Sequence, residues 1–173
     1  MERVFLGLGS NKGDKLHWLR FALEGLSRCP RTRIVRVSSL YRTAPWGVAE
    51  QEDYYNAVAE LATELPPREL LAAAQRIEAL SGRERPYRWA PRELDIDILL
   101  YGGLQLATEE LTIPHPRMRE RRFVLLPLAE IAPELVLPDG TAVGDLLQQT
   151  EDQEVEPFFA ANKWIRGKEN EDY

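Results

Sequence analysis

The sequence predicts an α+β domain of the ferredoxin-like βαββαβ kind, an antiparallel sheet with helices packed on one face and C-terminal additions. Three observations predict it. Four runs are rich in β-branched residues or alternate in the manner of strands. Two others repeat apolar residues at the three- and four-residue spacing of an amphipathic helix. Their order is strand, helix, strand, strand, helix, strand, the split βαβ order.

Each element has its own justification. RVFLGLG, residues 3–9, is a mostly apolar run ending in glycines and predicts a buried strand feeding a tight turn. Asp14 is placed to cap the following helix, where Leu16, Leu19, Leu23 and Leu26 form a stripe that Trp18 and Ala22 widen. RIVRVSSLY (33–41) and YNAVAELATE (55–64) read as the second and third strands, joined through the Pro/Gly loop TAPWGVAEQED. Pro66 and Pro67 open a second helix with Leu70, Ala73, Ile77 and Leu80 on one face, and Gly82 stops it. LDIDILLY (94–101) is the fourth strand. LTIPHP, a short helix from about Arg117, the unassigned segment LPLAEIAPELVLPDG and a last helix near 142–149 complete a single domain over residues 1–150. The tail, 151–173, carries Phe158, Phe159, Trp164 and Ile165, which either dock on the domain or mediate association.

Composition narrows the function. With 173 residues, 44% of them apolar, one domain can bury roughly 70% of the surface of its unfolded chain. A single cysteine, Cys29, and two histidines far apart in sequence disfavour disulfide and zinc scaffolds. The apolar run at the N-terminus is too short for a signal sequence and no later run approaches a membrane span, so the expectation is a soluble, cytoplasmic protein with no membrane partner. A net charge of −6 argues against nucleic acid as a partner, because that needs a sustained basic surface. Basic residues are instead focused. Lysines are few (Lys12, Lys15, Lys163, Lys168), whereas Arg83, Arg85, Arg88 and Arg92 form one cluster and Arg117, Arg119, Arg121 and Arg122 a second. Such clusters on an acidic chain suit a local anion site, although arginines also serve in surface ion pairs.

The chemistry concentrates in residues 83–97, RERPYRWAPRELDID. Arginine forks match phosphate oxygens, and an Asp-x-Asp pair can hold the hard cation that accompanies polyphosphate. Strand alternation puts Leu94, Ile96, Ile98 and Leu100 on one face and Asp95 and Asp97 on the other, with Cα atoms about 7 Å apart. Two ionised aspartates so placed repel unless a cation neutralises them, and oxygen ligands favour Mg²⁺; the plain alternative is a wet strand face. Trp89 can stack on a base, on a guanidinium or on Pro91. Gln75 and Glu78 are neighbours on the second helix and can read a base or ribose. His17 reads as a solvated helix residue, while His115, between two prolines, is either a donor to phosphate or a turn residue. GLGSNKG matches neither the P-loop nor the dinucleotide fingerprint, so its glycines are assigned to the strand-to-helix turn.

These residues resemble those of the 6-hydroxymethyl-7,8-dihydropterin pyrophosphokinases of folate biosynthesis, over about residues 3–147. The resemblance rests on GSN at 9–11, SSLYRTAPWG, DYYNA at 53–57, QRIE at 75–78, GRERPYRWAPRELDIDIL, and LTIPHPRM followed by Arg121 and Phe123. The WxPRxLDxDI string is the most specific of them. It implies a ferredoxin-like Mg²⁺-dependent transferase that moves diphosphate from ATP to the pterin hydroxymethyl group and leaves AMP. It further implies that Asp95 and Asp97 hold two Mg²⁺ ions and that Arg83 and Arg92 stabilise transition-state charge. Tyr54 and Phe123 would sandwich the pterin, with Thr43, Asn56, Ala44 and Trp46 at its edge. ATP would meet Gln75, Glu78, Arg83, Arg85, Trp89, Arg92, Ile98, Thr112, His115 and Arg121. Loops 42–53 and 82–93 would close over both substrates to exclude water. Ala44, Ala90, Pro116 and Glu110 depart from the residues usual in that family, the last two at positions that can contact ATP. Two alternatives stand beside this reading: a two-metal nucleotidyltransferase or nuclease using the same aspartates, and a ferredoxin-like module for single-stranded RNA, whose aromatic signature string is absent. Oligomeric state is not legible, with a monomer favoured.

Overall fold

Apolar side chains on both faces place β1 (Glu2–Ser10) inside a sheet. Val4, Leu6 and Leu8 face one way into a core with α1 (Lys15–Ser27) and α2 (Pro67–Leu80), and Phe5 faces the other. In this computed structural model, which describes residues 1–44, 52–82 and 93–165, β1 pairs antiparallel with β4 (Tyr54–Thr63) on one side and β5 (Asp95–Tyr101) on the other. The far edge of β4 is shared by β2 (Thr32–Val37) and then β3 (Leu40–Thr43). The four predicted strands and two predicted helices thus take the expected ferredoxin-like arrangement.

Local signals set the ends of the helices. Asp14 accepts a hydrogen bond from the His17 backbone N–H at 3.2 Å and caps α1, as its side chain predicts. Proline at the first position starts α2, and Gly82, with φ +78°, follows its end.

Four expectations are corrected. The second strand is broken at Ser38–Ser39, where the register on β4 slips by one residue between Val37↔Ala59 and Tyr41↔Asn56. There Ser38 Oγ accepts from Val58 N–H at 2.9 Å, so a side chain stands in for a backbone partner. A second slip places Leu100 opposite Phe5 while Ile98 is opposite Leu6, leaving Leu99 as the extra residue of a bulge. Leu100 therefore leaves the face it shares in an ideal strand with Ile96 and Ile98 and joins Phe5, Val58 and Leu99 on the opposite side. Third, LPLAEI is helical: α3 (Arg122–Ile131) contains Pro127, and after the one-turn 3-10 helix Met118–Glu120 it covers that opposite side together with α4 (Val143–Gln148). Helices therefore lie on both faces of the sheet. Fourth, Gly7 and Gly9 lie inside β1, leaving Gly13 (φ +71°) to the turn.

Beyond Leu106–Ala107 (β6) and Thr112–Ile113 (β7), which form a small ribbon, the chain returns to the main sheet. β8 (Glu156–Phe159) pairs antiparallel with β3, and the short α5 (Ala161–Trp164) buries Trp164 among the side chains of the α1/α2 core. The Trp164 indole N–H donates to the Ser38 carbonyl at 2.9 Å and its own carbonyl accepts from Arg20 Nε at 2.6 Å. Phe158 and Trp164 dock on the domain, whereas Phe159 is exposed. Among the described residues no helix is long and apolar enough to cross a membrane.

Candidate active site

Strand pairing assembles a polar strip on the α3 side of the sheet. Asp95 lies opposite Gly9 and Asp97 opposite Gly7; on the other side of β1 the same glycines face Asn56 and Val58, and β3 adds Thr43 opposite Tyr54. With alternate residues on one face, Asp95, Asp97, Tyr54, Asn56 and Thr43 all project from this side. The glycines between them supply no side chain. Asp95 and Asn56 are thus two strand spacings apart, roughly 10 Å, across a bare backbone floor. A Cβ on Gly9 would stand 3.0 Å from Asn56 Oδ1, so the floor is fitted to its neighbour. Asn56 and Thr43 are themselves buried, and Asn56 Nδ2 donates a long 3.5 Å bond to Thr43 Oγ1.

The chain after β7 builds a second wall. His115 is held by its backbone N–H on the Leu99 carbonyl at 2.9 Å, and its Nδ1 accepts from Arg117 N–H at 3.2 Å. The proton of the neutral ring is thereby assigned to Nε2, the nitrogen left to donate. Burial pulls the His115 pKa below its ordinary value and keeps the ring neutral near pH 7; Asp97 opposes this, while Arg121 and Arg117 reinforce it. Burial likewise lowers Arg121, with Arg117 adding to the effect and Asp97, Glu120 and Asp95 opposing it. For Tyr54 burial raises the phenol pKa, Asp95 raises it further and Arg121 opposes. These mutual influences place Tyr54, Asp95, Asp97, His115 and Arg121 in one electrostatic neighbourhood. The Arg121 guanidinium carbon lies 5.5 Å from the centre of the Phe123 ring, so Phe123 at the start of α3 belongs to it too.

The open edge of β5 forms the third side. Glu78 is buried and its Oε2 accepts from Ile96 N–H at 3.2 Å, tying α2 to the strand between the two aspartates. Since Ile96 N–H points outward, strand geometry puts the backbone groups of Ile98 on the same edge. The Ile98 side chain itself is buried in the α1/α2 core, so any ligand meets Ile98 through its main chain. Gln75 is exposed on α2, Thr112 is in β7, and Ala44 is exposed just beyond β3. Trp46, Arg83, Arg85, Arg88, Trp89, Ala90 and Arg92 lie outside the described residues, as does most of the two loops expected to close.

Several contributors escaped sequence reasoning. Gly7 and Gly9 share strand parity with Asp95, a signal visible once β1 and β5 are paired. Lys12 and Lys15 hold the borders of the site: Lys12 Nζ is 3.4 Å from Glu93 Oε1, and Lys15 Nζ donates to the Asp53 carbonyl at 3.1 Å. Both lysines stand in the β1–α1 connection or the first turn of α1, far in sequence from the residues they hold.

Two aspartates on one face, one half-buried and one exposed, fit a divalent cation. The pair is the kind of ligand set Mg²⁺ takes, since that ion keeps waters and phosphate oxygens beside one or two carboxylates; among the described residues no cluster of three His, Cys, Asp or Glu side chains gathers.

A family profile described as 7,8-dihydro-6-hydroxymethylpterin-pyrophosphokinase (HPPK) matches residues 5–133. The chain belongs to this family. Two relatives named 2-amino-4-hydroxy-6-hydroxymethyldihydropteridine pyrophosphokinase agree along nearly their whole length. That of Methylorubrum extorquens is 47% identical over 156 residues, covering 90% of this chain and 98% of its own. The Pseudomonas aeruginosa protein is also 47% identical, over 85% of this chain and 91% of its own. A solved structure of Plasmodium falciparum HPPK-DHPS, wild type with SDX-DHP, superposes with a TM-score of 0.66 at 16% identity, covering 86% of this chain and 43% of that one. This chain therefore spans less than half of that two-enzyme polypeptide, and the likeness supports the fold of the family portion alone.

Proposed function

We propose that this chain, as a pyrophosphokinase of the family, transfers diphosphate from ATP to the hydroxymethyl oxygen of 6-hydroxymethyl-7,8-dihydropterin, releasing AMP, on the α3 side of the sheet. The observation that carries the assignment is the glycine-floored strip with a carboxylate pair at one side and Tyr54, Asn56 and Thr43 at the other. A flat heterocycle suits a slot with an aromatic wall and a few polar readers. Tyr54 and Phe123 supply ring faces, Asn56 and Thr43 supply donors and acceptors, and the family resemblance adds Ala44 and Trp46. The two-metal nuclease and the RNA-binding alternatives give no reason for this half of the strip.

Asp95 and Asp97 are the residues that would hold Mg²⁺, two ions in this proposal, and bound Mg²⁺ supplies charge neutralisation for the polyphosphate. His115 offers its Nε2 proton, and Arg121 a charge already partly desolvated, to phosphate oxygens arriving beside Asp97. The family resemblance adds Arg83, Arg85 and Arg92 as further partners of the phosphates, with Arg83 and Arg92 stabilising charge at the transferred group. Glu78, Gln75, Thr112 and the Ile98 backbone are assigned to the nucleoside, and the family resemblance adds Trp89. Glu78 acts there largely as a brace, because one carboxylate oxygen is already engaged by Ile96. A monomer in a soluble cytoplasmic setting completes the proposal, a setting that fits a substrate pair of small polar molecules.

Incubation with ATP, Mg²⁺ and the pterin, followed by separation of nucleotides, tests the assignment. AMP should appear only when the pterin is present; formation of ADP, or no turnover, refutes it.

A further inference from the structure

β4 presents successive residues to opposite faces, so the residue between Tyr54 and Asn56 in the strip is Tyr55, on the α1 side. Its ring is held there from two directions. Lys15 Nζ lies 4.6 Å from the ring centre while donating to the Asp53 carbonyl at 3.1 Å, and the Phe158 ring of β8 packs at 5.1 Å. Phe158 is fixed in turn by Arg42, whose guanidinium carbon sits 5.0 Å from its centre and whose Nη2 bonds Glu156 Oε2 at 2.8 Å. Arg42 immediately precedes Thr43 and lies opposite Tyr55 in the β3–β4 pairing. Behind the strip there is thus a continuous stack, Lys15, Tyr55, Phe158 and Arg42, in which Tyr55 and Arg42 are each one residue from a group assigned to the pterin, Lys15 is bonded to the residue before Tyr54, and Phe158 packs against both Tyr55 and Arg42.

We infer that Phe158 and the segment 156–164 are positioning elements of the pterin half of the site, acting through Tyr55 and β3 on Tyr54, Asn56 and Thr43. In the sheet order the carboxylates of β5 are separated from β3 and β8 by β1 and β4. The effect should therefore fall on one substrate. This inference rests on the assignment of the strip to the pterin, and the experiment separates the two.

The test compares wild type with Phe158→Ala, Phe158→Tyr and Lys15→Met in steady-state AMP formation, varying each substrate at saturation of the other, with thermal unfolding measured alongside. An aromatic pair contributes about 0.5–1.5 kcal/mol beyond buried area, or roughly two- to twelvefold in an equilibrium constant. Phe158→Ala and Lys15→Met should raise the KM for the pterin by a factor in that range and leave the KM for ATP within about twofold of wild type. Phe158→Tyr should restore it. A lowered melting temperature with unchanged pterin KM, or an equal rise in both KM values, overturns the inference and leaves the assignment of the strip intact. Wild-type protein without pterin-dependent AMP formation overturns both.

Discussion

Replacing Gly9 by alanine separates the fit of the strip from the stability of the fold. The added methyl would sit 3.0 Å from Asn56 Oδ1 and 3.8 Å from the Tyr55 carbonyl. To regain an ordinary contact of about 3.4 Å, Asn56 must yield by a few tenths of an ångström. Its bond to Thr43, already 3.5 Å long, has little room to stretch further. Loss of one such hydrogen bond is worth about 1 kcal/mol, and the methyl also rises from the floor on which the pterin would lie. Together these should lower kcat/KM for the pterin on the order of tenfold, which corresponds to about 1.4 kcal/mol. Folding should change little, because removing glycine from a strand interior gains roughly 0.5–1 kcal/mol in chain entropy against the displacement of Asn56. Initial rates of AMP formation against pterin concentration, with urea denaturation on the same sample, give both numbers. A wild-type kcat/KM would refute the placement of the pterin over β1, and so would an activity loss accounted for by unfolded protein.

Asp97→Ala should reduce kcat by a hundredfold or more, about 3 kcal/mol of transition-state stabilisation, with a normal melting curve because Asp97 is exposed; near-normal turnover would move the cation elsewhere. Trp164→Ala should destabilise the fold by about 3–5 kcal/mol in urea denaturation, since the ring is 1% exposed and its N–H is bonded to Ser38. A change below about 1 kcal/mol would show that the tail contributes nothing to the core. Asp139 accepts from Thr141 and Arg119, and these bonds hold its pKa below the ordinary carboxylate range. The stabilisation is present above the unfolded value, about pH 4, and is lost as the pH falls through the folded one. Asp139→Asn should therefore lower the melting temperature at pH 7 and converge on wild type in acid; a constant difference across that range would contradict the argument.

Alternation and spacing made the main elements legible, because Asp95 and Asp97 on one strand face and the leucine stripe of α1 are consequences of period alone. What period cannot show is a single extra residue. The bulge at Leu99 hides in ILLY, where every residue is apolar and either register reads as buried. Proline obscured α3: Pro127 lacks an N–H and discourages a helical reading, yet it stands buried within the helix. The half of the site that comes from pairing distant strands, the Gly9 floor and the grip of Lys15 on Asp53, has no local signature. Family resemblance reached Tyr54, Asn56 and Phe123, which polarity and spacing had not singled out. For the tail, the aromatic residues announced burial without saying where.

The docking of Trp164 carries a kinetic consequence. Its two hydrogen bonds join residues 126 and 144 positions apart in the chain, and β8 closes onto β3 across a comparable separation. Contacts of such range cost loop-closure entropy before they return any stabilisation, so they form late in folding. During synthesis the β1–α1 unit emerges long before the segment that completes its core, and the break at Ser38–Ser39 stays uncovered until then. The β8–α5 segment should be the last part of the molecule to become ordered on refolding, after the strands that carry the strip have paired.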